Sequence, residues 1–108
     1  MELNQYQDWA SRTVNKNLNA TDTMAQDALG IAGEAGECAD LVKKHLFHKH
    51  PLDKDKLVKE LGDVLWYVSQ LAADIGVTLD EVAQKNVDKL KARYPEGFTE
   101  KASLERTG

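Results

Sequence analysis

The chain has 108 residues, 42% of them hydrophobic and 30% charged, with a formal net charge of −4. That size suits one globular domain over residues 1–108, and the mild, mixed charge excludes a dedicated nucleic-acid binder or a polybasic membrane-surface protein. The single Cys38 excludes an intrachain disulfide, and no apolar run approaches the ~20 residues that span a bilayer. The opening Met1-Glu2-Leu3-Asn4-Gln5 lacks the basic-then-apolar pattern of a secretory signal, so the expected location is cytoplasmic.

From Leu3 to about Val14, apolar and aromatic residues (Leu3, Tyr6, Trp9, Ala10, Val14) recur at steps of three and four, which predicts a short amphipathic helix. The asparagine-rich Asn15–Ala20 reads as a loop, and Thr21, Asp22 or Thr23 can cap the next helix. That second helix should run to about Phe47 and bury Ala25, Ala28, Leu29, Ala32, Ala35, Ala39, Val42 and Leu46. A third helix, capped by Asp53 or Asp55, should run from about Lys56 to Ile75. Its apolar set (Leu57, Leu61, Val64, Leu65, Val68, Leu71, Ala72, Ile75) falls within ~120° of arc. Gly76 stops it, Thr78-Leu79-Asp80-Glu81 has the form of a capping box, and a fourth helix ends before Pro95. The tail from Phe98 to Gly108 reads as an arm or a frayed end.

Within the second helix, Gly30, Gly33 and Gly36 together cost about 3 kcal/mol relative to alanine. Beside them Glu34 and Glu37 stand one turn apart, and Glu60 and Asp63 repeat that spacing on the flank of the third helix. If both flanks face one groove, four carboxylates converge, and their repulsion is relieved by a cation. Oxygen ligands without clustered thiolates suit Mg²⁺ or Mn²⁺. The alternative is that each pair is a solvated face. On the fourth helix Asn86 falls inside the apolar arc and predicts a buried amide, with Lys89 and Arg93 following along one edge. These three could hold phosphate oxygens, or be a structural asparagine beside an ordinary basic helix end. His45, His48 and His50 sit where a helix ends before Pro51, which suits the helix dipole better than a transition metal. Trp66 reads as packing or subunit contact, and no nucleophile has a base beside it.

Three blocks together resemble the MazG-like all-α nucleoside triphosphate pyrophosphohydrolases: Gly30 to Lys44 (GIAGEAGECADLVKK), Lys59 to Tyr67 (KELGDVLWY) and Asn86 to Pro95 (NVDKLKARYP). They occur in the family's order and span most of the chain. The resemblance implies an all-α, four-helix-bundle-type architecture completed by oligomerisation, a homodimer at the least and a homotetramer by analogy with short members. It implies Mg²⁺-dependent hydrolysis (Mn²⁺ substituting) of a nucleoside triphosphate, deoxy or non-standard, to monophosphate and pyrophosphate. Glu34, Glu37, Glu60 and Asp63 match the metal ligands, with Glu37 or Glu34 orienting the attacking water. Lys43, Lys44, Asn86, Lys89 and Arg93 match positions near the phosphates, and Tyr6, Trp9 and Tyr67 are stacking candidates for the base. A nucleotide-binding helical regulatory or interaction module without turnover is the rival reading, and a panel of triphosphates separates the two.

Overall fold

The computed structural model describes residues 1–106 of the chain. Its elements are helices: α1 (Leu3–Ala10), a 3₁₀ turn (Ser11–Thr13), α2 (Ala20–Phe47), α3 (Lys54–Asp74), α4 (Leu79–Arg93) and α5 (Glu100–Leu104), with no strand among the described residues. The all-α expectation holds. The first helix is shorter than its periodicity predicts, because its last residues tighten into the 3₁₀ turn, where Thr13 Oγ1 donates to the Ala10 carbonyl at 2.7 Å.

Local chemistry sets the ends. Asn19, rather than Thr21, Asp22 or Thr23, caps α2, its Oδ1 accepting from the Asp22 N–H at 2.8 Å, so the helix starts a turn earlier than expected. Asp53 caps α3 through the Lys56 N–H at 3.0 Å, and Thr78 caps α4 through the Glu81 N–H at 3.1 Å. Gly76, at φ +77°, makes the left-handed turn that ends α3. Residues 100–104 form the short α5 instead of an arm, capped by Thr99 Oγ1 on the Ala102 N–H at 2.9 Å; residues 107–108 lie outside the described residues.

The long helices α2 and α3 pack along each other, and α1 lies against α3 and α4. One side chain bolts this corner. Gln7 is buried, its amide donates to the carbonyls of Ser69 (2.9 Å) and Val77 (3.3 Å), and its Oε1 accepts from the Leu79 N–H at 2.9 Å. Around it sit the buried apolar residues Ala10, Ala72 and Leu79.

The orientation of α2 overturns an expectation. Ala25, Ala28, Leu29, Ala32, Ala35, Ala39, Val42 and Leu46 are all exposed, Leu29 at 73% and Leu46 at 63%. The residues covered by α3 are instead Asp27, Gly30, Ile31, Glu34, Cys38 and Leu41. At 100° per residue the two sets occupy separate, adjoining arcs of the helix whose centres lie about 130° apart. On α3, Leu61 and Leu65 are likewise exposed, as is Ile75 at its C-cap. The radius of gyration is 16.8 Å, against about 13 Å for a closed domain of this length. The chain therefore presents an apolar helical face outward while Asp27 and Glu34 turn toward its own neighbouring helix.

Candidate metal centre

Halfway along α2, the glycine at position 30 lets α3 approach. A Cβ there would fall inside the Tyr67 ring, so Gly30 is required by packing, whereas a Cβ at Gly33 or Gly36 would meet nothing within 4 Å. The close approach brings one flank of each helix together. Carboxylate oxygens of Glu34, Glu60 and Asp63 lie within 4.8 Å of one another, with Glu34 and Glu60 half-buried and Asp63 exposed. Glu37 stands one turn on, exposed and outside this group of three, yet near enough for its charge to act on Glu34.

The electrostatics follow from crowding. The Glu34 carboxyl is held above its ordinary range, first by a hydrogen bond to the Glu60 carboxyl, then by burial and by the charges of Asp63, Glu60 and Glu37. Without a cation, one shared proton lessens the repulsion. The donor set is all oxygen and carries excess negative charge, which fits a hard divalent cation and offers nothing to a soft one.

A groove of 330 Å³ opens beside these carboxylates, lined by Thr13, Glu34, Asp63, Trp66 and Tyr67. Trp66 and Tyr67 meet edge to face, with ring centroids 5.0 Å apart. Trp66 Nε1 donates to Thr13 Oγ1 at 2.8 Å. Tyr6, half-buried on α1, has its phenol pushed up by burial and by the Asp63 charge. The aromatic wall is thus Trp66 and Tyr67, with Tyr6 nearby. Trp9 is 58% exposed and absent from this lining; the Arg12 guanidinium lies 5.7 Å from its ring centre.

The cationic candidates sit elsewhere. Lys43 and Lys44 reach Asp40, at 3.1 and 2.8 Å, which holds the Asp40 carboxyl below and the Lys44 ammonium above their usual ranges. On α4, Asn86 is exposed, contrary to the buried amide expected from its place in the apolar arc, because the arc itself is uncovered there, with Val82, Val87 and Leu90 exposed as well. Lys89 is exposed beside it, Arg93 is half-buried with its guanidinium 5.9 Å from the Tyr94 ring centre, and α4 supplies none of the groove lining.

A second acidic contact joins the same two helices further along. Asp27 is 2% exposed, and its carboxyl is pushed up to about 7 by burial, by a hydrogen bond to Asp74 and by the Asp74 charge. Asp74 Oδ2 is buried and finds no N–H or hydroxyl donor among the described residues, which leaves a proton carried by Asp27 to serve the pair. Neither residue was singled out by the sequence pattern, although Asp27 stands two turns before Glu34 on the same side of α2.

No solved structure matches the chain. Among curated proteins, the gene 37 protein of Mycobacterium phage L5 is 47% identical over 73 residues, and the match covers 64% of this chain and 64% of that relative's length. No helix here is long and apolar enough to cross a membrane among the described residues. The family model for the MazG nucleotide pyrophosphohydrolase domain matches residues 23–98. That span takes in all but the first residues of α2, with α3 and α4, and holds all three clustered carboxylates, so the chain belongs to the MazG nucleotide pyrophosphohydrolase domain family.

Proposed function

We propose that this chain hydrolyses a nucleoside triphosphate, deoxy or non-standard, between its α- and β-phosphates, giving monophosphate and pyrophosphate in a nucleotide-pool house-cleaning role. The observation that carries this reading is the convergence of Glu34, Glu60 and Asp63 from two helices beside an aromatic-walled groove.

Glu34, Glu60 and Asp63, joined by Glu37, hold Mg²⁺, with Mn²⁺ able to substitute. Such an ion neutralises polyphosphate charge, polarises the α-phosphorus and lowers the pKa of bound water. The residues of the chain do the rest. Glu37, exposed and one turn from the cluster, or Glu34 itself, orients the water and accepts its proton. The ring of Tyr67 flanks the nucleoside, with Tyr6 behind it. Lys43 and Lys44 supply positive charge on the same helix as Glu37, while Asn86, Lys89 and Arg93 offer phosphate contacts from α4.

The active form is a homodimer at the least, with a homotetramer as the larger assembly. Support comes from α2, whose outward face carries Ala25, Ala28, Leu29, Ala32, Ala35, Ala39, Val42 and Leu46 and is broken by Lys43, and from a largely apolar groove of 550 Å³ whose lining includes Val42, Lys43, Leu46, Phe47 and Leu61. Exposed faces of this extent favour association. In such an assembly α4 of one copy can serve phosphates held by the carboxylates of another.

The test is a panel of canonical and modified nucleoside triphosphates with Mg²⁺, the products separated by anion exchange. Monophosphate plus pyrophosphate is expected. Orthophosphate plus diphosphate would reject attack at the α-phosphorus, and saturable binding without products would favour the regulatory module.

A further inference from the structure

Thr13 lies outside the matched residues 23–98, on the 3₁₀ turn that follows α1. Its hydroxyl is used twice, donating to the Ala10 carbonyl at 2.7 Å and accepting from the Trp66 indole at 2.8 Å. A hydroxyl oriented by one bond presents its lone pair in a fixed direction for the other. The indole N–H, the polar atom of the ring, is consumed by that contact. What Trp66 offers the groove is therefore apolar ring surface, braced edge to face on Tyr67, which in turn rests on Gly30. Thr13, Trp66 and Tyr67 line the same groove as Glu34 and Asp63, so a ligand whose phosphates lie at the carboxylates has its organic end at this wall.

We propose that Thr13 is a positioning residue for nucleotide binding: it holds Trp66 so that the indole ring forms the wall against which the nucleoside lies. The proposal rests on the pyrophosphohydrolase reading for the identity of the ligand. It extends the nucleotide pocket to a turn distant in sequence from the acidic pairs, and it gives Trp66 a part in binding rather than in bulk packing. Stacking on an aromatic face tolerates any base, so the brace sets where the nucleoside lies, and the groove's remaining edges choose among bases.

Calorimetric titration tests this with two probes in Mg²⁺ buffer: the four deoxynucleoside α,β-imidotriphosphates, which resist cleavage, and inorganic triphosphate. Thr13→Val removes the acceptor while keeping the shape. We expect it to weaken the tightest of the four nucleotide analogues about tenfold, the scale of one lost hydrogen bond at a ligand wall. The affinity for inorganic triphosphate should stay at the wild-type value, and Thr13→Ser should restore nucleotide affinity. Trp66→Phe, which keeps a ring without an N–H, should weaken the nucleotide in the same sense, and adding Thr13→Val to it should change nothing further. That pair also answers the question if Thr13→Val alone fails to fold. Wild-type nucleotide affinity in Thr13→Val overturns the proposal, as does equal loss of nucleotide and triphosphate, which would make Thr13 merely structural. Wild type that binds the analogues yet releases no pyrophosphate from cleavable triphosphates rejects the hydrolase reading and leaves the wall in place; wild type that binds none of the analogues rejects both.

Discussion

The helices α2 and α3 bring carboxyl groups together twice, and the two meetings are opposites. Glu34, Glu60 and Asp63 gather at the edge of a groove, partly open to water, with more negative charge than one proton can neutralise. Asp27 is buried against half-buried Asp74, and a single proton satisfies the pair. The same interaction between the same two elements thus has two resolutions, and exposure decides between them: an open cluster can recruit a cation from solution, whereas a sealed pair must bring its own neutralising proton.

The sharpest way to break this contrast is to neutralise one member of each group. Asp63→Asn should lower kcat for pyrophosphate release by at least ~100-fold, the low end for loss of an electrostatic contributor. The variant should remain folded by circular dichroism, since Asp63 is exposed. Glu37→Gln should give a loss of the same order if Glu37 orients the water, and a smaller loss would transfer that role to Glu34. Full activity in Asp63→Asn would remove the cluster from the chemistry.

Metal distinguishes the two groups next. Saturating Mg²⁺ or Mn²⁺ should raise the melting temperature of wild type, a ligand at 100 times its Kd adding about 2.7 kcal/mol to the native state. Asp27→Asn should retain this increment and Asp63→Asn should lose most of it. An unchanged midpoint for wild type at saturating metal would count against a preformed centre.

The buried pair makes itself known through pH. An aspartate ordinarily titrates near 3.8, and Asp27 in the folded chain is pushed up to about 7. Between those values the native state holds a proton that the unfolded state has released. The contribution of this group is therefore complete below about pH 4 and is lost as pH rises toward 7, with a slope of up to about 1.4 kcal/mol per pH unit. Urea unfolding from pH 4 to 8 should show Asp27→Asn with a flatter profile than wild type in that window. Parallel profiles would mean that Asp27 and Asp74 do not share a proton.

The smallest expected effect comes from Gly33, whose Cβ position is open within one chain. Helix propensity alone predicts a gain of about 1 kcal/mol for Gly33→Ala. A gain would leave this edge of α2 uncovered in solution. A loss, with a lower apparent mass by light scattering, would place a second copy against it.

These two acidic contacts also show how far the sequence could be read. The four-helix order, the ends at Asp53, Thr78 and Gly76, and the acidic pairs Glu34/Glu37 and Glu60/Asp63 all follow from local spacing and capping chemistry, whereas the meeting of Glu34 with Glu60 and Asp63 depends on how α2 and α3 pack. The buried face of α2 differs from the expectation because periodicity assigns apolar residues to the chain's own core. That rule presumes a closed domain, and this chain leaves those residues uncovered. The same presumption made Asn86 a buried amide. Asp27 was invisible for a related reason: a lone aspartate among alanines reads as solvated, and only its partner at the far end of α3 makes it otherwise. The bond from Trp66 to Thr13 crosses 53 positions, and nothing local announces it.

Gln7 carries a consequence for how such chains diverge. Its amide engages the main-chain groups of Ser69, Val77 and Leu79, with no side chain of those residues taking part. Backbone carbonyls persist whatever residue occupies a position, and the N–H at position 79 is lost only to proline. Mutational drift at the α3–α4 corner can therefore proceed without detaching the N-terminal helix, provided that one glutamine is kept. The docking of α1 through Gln7 is in this sense addressed to the shape of the corner rather than to its spelling, whereas the turn that follows it is tied by a side chain, Trp66, whose indole donates to Thr13.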